Sequence, residues 1–477
     1  MKLIKSTKAN INYLAKVIDI TNFLPHPNAE RMKIAQVGGY KVCVGIDEPA
    51  GRYVYFPVNS EINPNLLSYC NLYRHTEKNS NTEKAGFFND NGRVTAIKLR
   101  GFPSEGFLLP YEQLENFISD TLNLKLDNIE DNTDFDIASE ENKEFWICKK
   151  YIVVHNFTSG QSNSNKKQKN ISRFNKVIDT QFHFHYDTVR IQNDKWAISP
   201  NDLISITEKI HGTSGISAYV LCKKRPTIWN KIKGFFGVEN IFYDYLYASR
   251  TVVKNAFDMI EAIHPKFINS YFILSKFFSR TKVKPINKGG YYGCDIWAEA
   301  DKIVRPHLQK GMTIYYEIVG FLPTGRYIQK NYDYGCVPPE KDEPFIHEKH
   351  FKVRVYRITI TNVDGYVHEF SAKEVQEWCK ANDLIPVTEY YYGYAKDLYD
   401  IPVDDNWTDA FWDTMANDKN FYMECNSPSC INKVPHEGLV IKKEDMRSRA
   451  WKLKCFAFLN GEQKELDAGI ENIEDNA

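Results

Sequence analysis

The sequence predicts an α+β fold in two parts, a small antiparallel β-barrel followed by a larger domain of sheets and helices. First, short apolar runs separated by Gly, Pro and Asn fill the stretch from Ile11 to Leu109, which is typical of short strands that pair in a barrel. Second, a polar stretch without apolar periodicity follows at 155–170 and is expected to be an exposed linker. Third, strand-like and helix-like segments alternate beyond it, as in a mixed α+β domain.

The barrel strands are predicted by five apolar runs: Tyr13 to Ile20, Lys33 to Val37, Tyr40 to Ile46, Tyr53 to Val58 and Val94 to Leu99. Their length and their turn-forming neighbours suit a barrel better than a helical bundle. We therefore expect three regions, with the barrel in residues 1–150, the polar linker in 151–175 and the second domain in 176–477.

Two helices are predicted in the second domain. From Asp295 to Gln309 the apolar residues recur at helical spacing and fall on one face: Ile296, Ala300, Ile303, Val304 and Leu308. Further along, Ser371 and Glu374 have the spacing of a capping box, ahead of the apolar residues Val375, Trp378 and Cys379. We expect these helices to flank antiparallel sheets.

Length and composition exclude a chain that is disordered throughout, because 477 residues of which 43% are hydrophobic can bury sizeable cores. Lys+Arg and Asp+Glu both number 61, so the formal net charge is zero and any polyanion must be held by a local patch. No apolar stretch predicts a secretion leader or a membrane span, and the ten cysteines form no Cys-x-x-Cys pair. We expect a cytoplasmic protein with no membrane partner and with reduced thiols.

A possible nucleophile lies at the end of a β-type run. Ile206-Thr207-Glu208 leads into Lys209, and Gly212, Thr213 and Ser214 follow after two residues. A lysine at a strand end, followed by a glycine that permits a close turn and by hydroxyls, can attack a nucleotide phosphate. Taken alone, this short motif more often marks a surface lysine before a turn.

Further segments with suitable chemistry follow in order. They are Tyr247 to Arg250, the run Ile314 to Val319 with Glu317 at its centre, Val353 to Ile360 with Tyr356, His436 to Lys442 with Glu437 beside Gly438, and Ala450 to Phe456 with Lys452 and Lys454. Because side chains alternate along a strand, the two lysines of the last segment are expected on one face.

This ordered series resembles the covalent nucleotidyltransferase superfamily of ATP-dependent polynucleotide ligases and mRNA capping enzymes. The motifs run from Glu208 to Lys454, about half of the chain. Within the superfamily the chain is most similar to nick-sealing RNA ligases with an amino-terminal OB domain, and the segment from Phe182 to Thr188 also resembles their sequence before the nucleophile strand. His211 stands where many ligases and capping enzymes have Asp. The resulting motif, Glu-Lys-Ile-His-Gly-Thr, is a form found among RNA ligases.

The resemblance implies a role for each matching residue. Lys209 would attack the α-phosphorus of ATP and form a lysyl-adenylate. Nucleotide contacts would come from Glu208, Gly212, Thr213, Arg250, Glu317, Tyr356, Glu437, Val440, Lys452 and Lys454, with Tyr356 and Val440 on the two faces of adenine. Glu317 and Glu437 would face a divalent metal, Mg²⁺ or Mn²⁺. A free lysine, with a pKa near ~10.4, is protonated at neutral pH, so nearby positive charge is needed to favour the reactive amine.

The amino-terminal region carries a second resemblance. The segments His26 to Arg31 and Leu99 to Leu109 are similar to the OB-fold module that binds tRNA in some aminoacyl-tRNA synthetases and their accessory proteins. This resemblance implies an OB-fold barrel in the first part of the chain. Lys98 and Arg100, on the last predicted barrel strand, are candidate RNA contacts.

The sequence thus predicts an ATP-dependent RNA ligase that joins 3′-hydroxyl and 5′-phosphate ends, acting in RNA repair on a nicked duplex or a broken tRNA. Two alternatives stay open, an RNA capping guanylyltransferase and a non-catalytic OB-fold RNA-binding protein. A zinc site could also be drawn from His183, His185, His211, Cys425, Cys430 and His436. It is disfavoured because the spacing fits no zinc pattern and His436 directly precedes Glu437.

Overall fold

The structure, a computed structural model, describes residues 2–7, 9–127, 129–137, 145–153, 173–224, 241–262, 281–284, 292–418, 424, 426–445 and 449–469. It has an α+β fold of mostly antiparallel sheets and few helices. Most of the predicted linker lies outside the described residues, as does Cys425 of the disfavoured zinc site.

The amino-terminal region folds into short strands with two helices. Its strands are β1 Ala15–Ile20, β2 Leu24–Pro25, β3 Met32–Val37, β4 Tyr40–Gly45, β5 Gly51–Phe56, β6 Ser60–Ile62, β7 Ala96–Leu99, β8 Phe102–Glu105, β9 Phe107–Pro110, β10 Asp134–Phe135 and β11 Cys148–Lys150. The helices are α1 Pro64–Tyr69 and α2 Tyr111–Leu122, and 3₁₀ turns span Ile11–Tyr13 and Thr76–Lys78. All five predicted strand runs are confirmed, with shifts of a few residues at their ends.

These strands pair in four antiparallel sheets, in the orders β10-β1-β5-β9, β2-β3-β4, β7-β8 and β11-β6. The first two sheets surround a core to which both contribute, including Ile18 and Tyr53 from one and Val37 and Val42 from the other. Because the described hydrogen bonds divide the strands among separate sheets, the closed OB-fold barrel stays a prediction.

The second part begins with β12 Arg173–Asn175. It continues through β13 Val189–Arg190, β14 Leu203–Glu208, β15 Thr213–Lys223, β16 Ile241–Ser249, β17 Phe257–Ala262, β18 Thr281–Lys284, β19 Met312–Gly320, β20 Phe351–Thr361, β21 Val367–Glu369, β22 Glu389–Tyr394, β23 Gly438–Lys443 and β24 Arg449–Lys454. Its helices are α3 Ile296–Val304, α4 Ala372–Ala381, α5 Trp407–Asn417 and α6 Phe456–Asp467. Short 3₁₀ turns span Ile191–Asn193, Lys195–Ala197, Arg305–His307 and Ala395–Asp397.

Two five-stranded sheets dominate this part. One has the order β13-β24-β23-β14-β22 and the other the order β16-β15-β19-β20-β21, and β12, β17 and β18 form a separate small sheet. The pairs are antiparallel except β13 with β24, which run parallel. Buried side chains of β14, β23 and β24 form one core, and β19 and β20 pack against α3 and α4 in another.

The two predicted helices are present. The capping box of α4 is confirmed, because the Ser371 hydroxyl accepts from the Glu374 N–H and the Glu374 carboxylate accepts from the Ser371 N–H. The first predicted helix is shorter than expected and ends at Val304, where a 3₁₀ turn with Pro306 follows. Proline lacks the N–H that would continue the helix, which explains the early end. In the described part of the chain, no helix has the length and the apolar surface needed to cross a membrane.

Candidate active site

A cavity lies between the two five-stranded sheets, and most of the predicted site residues line it. From the candidate set, the lining residues are Glu208, Lys209, Arg250, Glu317, Tyr356, Val440, Lys452 and Lys454. The amino-terminal region forms another part of its wall, through Asn10, Asn12, Tyr13, Asn59 and Lys150. The cavity is therefore built by both parts of the chain.

Lys209 lies directly after β14 and is held by a buried carboxylate. Its backbone N–H donates to the carbonyl oxygen of Gly438 at 2.9 Å, which joins the end of β14 to the start of β23. Its Nζ lies 2.6 Å from Oε1 of Glu437, whose side chain is only 1% exposed. A close ion pair shielded from water is stronger than a surface pair, so the amine has a defined position.

Glu437 is the centre of a larger charge cluster. Its Oε1 also lies 3.4 Å from Nζ of Lys454, and its Oε2 lies 3.7 Å from Nδ1 of His211. Lys454 also pairs with Glu462, at 2.8 Å. The cluster brings together Lys209, Glu437 and Lys454 of the candidate set, and it adds His211 and Glu462.

Lys452 has a strongly lowered pKa. Burial, together with the positive charges of Lys454, Lys209 and Arg190, lowers the pKa of Lys452 to about 7. Both lysines line the cavity, which confirms that their two-residue spacing puts them on one face of β24. At neutral pH, Lys452 can therefore gain or lose a proton when a charged ligand binds.

Glu208 points to a polar pocket at the cavity wall. Its carboxylate accepts from the hydroxyls of Thr388, at 2.9 Å, and Ser429, at 2.9 Å and 3.0 Å. Burial raises the pKa of Glu208, while these two hydrogen bonds act in the opposite direction. In this arrangement the carboxylate is fixed by neighbouring hydroxyls rather than by a lysine.

Gly212 and Thr213 do not line the cavity but form the layer behind it. A Cβ on Gly212 would lie 2.6 Å from the carbonyl oxygen of Ile318 and 2.7 Å from Cγ of Glu317, so no larger residue fits there without a shift. The Gly212 carbonyl accepts from Nε2 of Gln329 at 2.6 Å. Thr213 is fully buried where β15 pairs with β19.

Tyr356 reaches the cavity through a β-bulge. Along the β19–β20 pair, Tyr315 faces Arg357 and Tyr316 faces Val355, so Tyr356 is an extra residue without a partner in β19. A bulge of this kind redirects a side chain next to a site. The hydroxyls of Tyr356 and Ser214 lie 3.2 Å apart, and burial raises the pKa of Tyr356, with the nearby charge of Glu317 adding to the effect.

Arg250 lies just beyond the end of β16 and makes an ion pair with Asp187. Although burial acts in the opposite direction, the positive charges of Arg250 and Lys452 lower the pKa of Asp187. The guanidinium therefore reaches the cavity, and it is oriented there by a carboxylate that the sequence did not single out.

Other residues at the cavity were missed as site residues. Arg357 lies with its guanidinium carbon 4.7 Å from the ring centre of Tyr186 and 4.6 Å from that of Tyr315, and its Nε donates to Glu369 at 2.9 Å. Burial, followed by the charges of Arg357 and Arg250, lowers the pKa of His185 to about 3. The resemblance of the segment from Phe182 to Thr188 was the available signal for His185; the bulge that brings Arg357 to the cavity leaves no pattern in the sequence.

The amino-terminal candidates lie elsewhere. Lys98 is exposed, and its Nζ lies 5.1 Å from the ring centre of Phe456, while Arg100 is exposed at the turn after β7. The two segments with OB-module resemblance do meet, because Nε2 of His26 lies 3.2 Å from the Leu99 carbonyl oxygen and the Asn28 amide donates to the Arg100 carbonyl at 3.1 Å. These contacts order the turn that carries Arg100.

The described residues contain no group of three or more His, Cys, Asp or Glu side chains arranged to hold a metal ion. Glu317 and Glu437 are the buried carboxylates of the candidate set that were expected at the metal. Mg²⁺ is commonly bound by one or two carboxylates together with waters and substrate phosphates. Two carboxylates would be enough for a metal that is held mainly by phosphates and waters, and Mn²⁺ accepts the same oxygen ligands.

Comparisons with known proteins found similar solved structures, but no family model and no curated protein matches the chain. The chain is similar to an RNA ligase of Naegleria gruberi: a ligand-free variant is 14% identical with a TM-score of 0.49, over 95% of this chain and 99% of that one. The same ligase with pyrophosphate is 15% identical with a TM-score of 0.49, over 95% and 100%. A variant with ATP and Mn is 15% identical with a TM-score of 0.48, over 94% and 99%. Likeness of this size does not by itself identify an activity.

Proposed function

We propose that the protein is an ATP-dependent RNA ligase that joins a 3′-hydroxyl end to a 5′-phosphate end. In the first step, Nζ of Lys209 bonds to the α-phosphorus of ATP, the bond from that phosphorus to the bridging oxygen breaks, and pyrophosphate leaves. In the second step, an oxygen of the RNA 5′-phosphate bonds to the phosphorus of the AMP, the bond from that phosphorus to Nζ breaks, and Lys209 leaves as the free amine. In the third, the 3′-hydroxyl attacks that phosphate and AMP leaves.

One observation carries the proposal. Lys209 is held 2.6 Å from a buried glutamate at the wall of a cavity on which an arginine, two further lysines, a second carboxylate and an aromatic side chain converge. A lysine nucleophile must be held in place and must lose its proton. The Glu437 carboxylate, 2.6 Å away, fixes the amine, and the positive charges of Lys452 and Lys454 favour its neutral form. The surface-lysine interpretation of the motif does not explain this convergence.

The other residues have complementary tasks in this proposal. The positive charges of Lys452 and Lys454 disfavour an additional ammonium beside them and attract the phosphates. Arg250 can contact two phosphate oxygens with one guanidinium. Tyr356 and Val440 offer an aromatic and an apolar surface for the base. Glu317 and Glu437 would hold a divalent metal, which offsets the charge that develops on the phosphate.

For the amino-terminal region we propose an OB-fold RNA-binding domain within residues 1–150, joined by the linker 151–175 to an adenylyltransferase domain within 176–477. Since the formal net charge is zero, affinity for RNA must come from local cations, for which Lys98 and Arg100 are candidates. A nicked duplex or a broken tRNA presents the two required ends side by side, and holding them there is the task we assign to this region.

Incubation with α-labelled ATP or GTP and a divalent metal, followed by denaturing electrophoresis, tests the proposal. Covalent label from ATP is expected in the wild type and in the control variant Lys443→Ala, because Lys443 lies on β23 and pairs with Asp202. No label is expected in Lys209→Ala, which has no amine, or in Lys209→Arg, whose guanidinium remains protonated. Label from GTP instead would identify a capping enzyme, and no label in the folded wild type would favour the binding protein.

The last step is tested separately with RNA that already carries AMP on its 5′-phosphate. Lys209→Ala should seal this RNA, because the final attack does not use the lysine amine. A folded Lys209→Ala protein that cannot seal it, while the wild type can, would contradict the three-step scheme.

A further inference from the structure

Helix α6 follows β24 directly and forms one side of the active-site cluster. Its Glu462 carboxylate lies 2.8 Å from Nζ of Lys454, the last residue of β24. Its Phe458 ring packs against the His211 ring at 4.9 Å between centres, and Nζ of Lys454 lies 4.9 Å from the centre of the same Phe458 ring. The position of Lys454 therefore depends on where this helix lies.

The opposite side of α6 is bound by a buried arginine of the amino-terminal region. The side chain of Arg93 has no exposed surface, and its NH1 group donates to Oε1 of Gln463 at 2.7 Å and to Oδ1 of Asn59 at 3.2 Å. Its NH2 group donates to the Gln463 carbonyl at 3.3 Å and pairs with Asp467. Gln463 completes the network by donating to Asn59 at 2.7 Å.

Apolar contacts and a cap hold the start of the same helix. Phe456 forms a buried cluster with Val58 and Ala96 of the amino-terminal region. The carboxylate of Glu424 accepts from the backbone N–H groups of Phe456 and Ala457. The helix is thus fixed at its first turn and again near its end, both times by contacts outside the two large sheets.

The order of residues along α6 couples these contacts to the site. Glu462, which pairs with Lys454, is the immediate neighbour of Gln463, which is held by Arg93. A buried guanidinium is costly when its donors lack partners, and the NH1 and NH2 groups of Arg93 find theirs on α6 and Asn59. Arg93 therefore favours the helix position that keeps these bonds. A shift of the helix that broke this pairing would also move Glu462 relative to Lys454.

We propose that Arg93 is a positioning residue for the chemical step and that α6 transmits the docking of the amino-terminal region to Lys454. The amino-terminal region then has a second task besides holding RNA, since it sets the geometry of adenylylation itself. The kinetic part of this inference rests on the proposed function, because it takes Lys454 to act on the nucleotide phosphates.

The test compares adenylylation kinetics of Arg93→Ala, Gln463→Leu and Glu462→Gln with those of Arg52→Ala. Gln463→Leu breaks the same link with an uncharged residue of similar size, and it serves if Arg93→Ala folds poorly. Arg52 is the matched control, because it makes two hydrogen bonds to Asp19 in the amino-terminal region and does not touch α6. All three α6-linked variants should lower kcat by tenfold to about a hundredfold with a much smaller change in KM, and Arg52→Ala should not.

Two further measurements separate positioning from simple destabilisation. Arg93→Ala combined with Glu462→Gln should lower kcat little more than either change alone, because both act through one element. Amide hydrogen exchange in 449–454 and 456–467 should rise in Arg93→Ala and stay unchanged in Arg52→Ala. Arg93→Ala with a lower melting temperature but wild-type kcat and wild-type exchange in 449–454 would overturn the inference.

The exchange measurement also separates the two proposals. If neither ATP nor GTP gives a covalent label on the wild-type protein, the proposed function is refuted. The exchange pattern would still decide whether Arg93 fixes α6 and the end of β24, since it needs no activity. Unchanged exchange in both segments would refute the coupling whatever the chemistry.

Discussion

Nucleotide binding should depend on pH through Lys452. The pKa of this side chain is lowered to about 7 by burial and by the charges of Lys454, Lys209 and Arg190. A bound polyphosphate supplies the opposite charge and should hold the proton on Lys452. The apparent affinity should then fall about tenfold between about pH 6 and about pH 8, because the protonated fraction of the free site falls from about nine tenths to about one tenth.

The assay is calorimetric titration with ATP in the presence of a chelator, which prevents the metal-dependent reaction. The phosphates of ATP also titrate in this pH range. The informative quantity is therefore the pH dependence of ATP affinity in the wild type minus that in Lys452→Met, because the contribution of the phosphates cancels in this difference. Lys443→Met on the neighbouring strand β23 is the matched control and should behave like the wild type. Equal pH dependence in the wild type and Lys452→Met would refute the reasoning.

The same shift affects folding. Between about pH 7 and the ordinary lysine value of 10.5, the unfolded chain holds the proton and the folded chain does not. The contribution of Lys452 to the free energy of unfolding therefore rises with pH across this interval. Below about pH 7 the side chain is charged in the folded protein, and the full cost of burying that charge applies. Lys452→Met should accordingly melt at a higher temperature than the wild type near neutral pH, and this advantage should shrink as the pH is raised.

Three further predictions concern other parts of the site. Gly212→Ala should lower the free energy of unfolding by about 1–3 kcal/mol in a denaturant titration, because its Cβ would lie 2.6 Å from a backbone oxygen; an unchanged midpoint would contradict this packing. Tyr356→Ala should raise KM for ATP while Tyr356→Phe, which loses only the hydrogen bond to Ser214, should change it little; equal effects would argue against a stacking role. Lys98→Ala and Arg100→Ala should each reduce the salt dependence of RNA binding by about one unit of slope, and unchanged slopes would remove them as phosphate contacts.

Local pattern was enough to predict where several of the candidate residues lie on their strands. Lys209 follows a strand, Glu317 lies within one, and Lys452 and Lys454 share a face of β24. Each of these features depends on the alternation of side chains along a single strand or on the residue where that strand ends. Local sequence encodes such properties directly.

Features that depend on distant packing were not predictable in this way. Arg250 and Asp187 are 63 residues apart in the chain, and nothing in either segment identifies the other as its partner. The bulge at Tyr356 depends on the register between β19 and β20. The amino-terminal residues Asn12 and Lys150 reach the cavity only because the two parts of the chain pack together. The helix end at Val304 was placed too late, at Gln309, although Pro306 is a local signal that stops a helix.

The central claim, that Lys209 becomes covalently attached to AMP, is tested most directly by mass spectrometry of the protein after incubation with ATP and Mg²⁺. Digestion should yield a peptide containing Lys209 with one AMP bound to its Nζ, and pyrophosphate should be released in equal amount. AMP on another residue, GMP from GTP in its place, or no adduct in a folded protein that binds ATP would contradict the account.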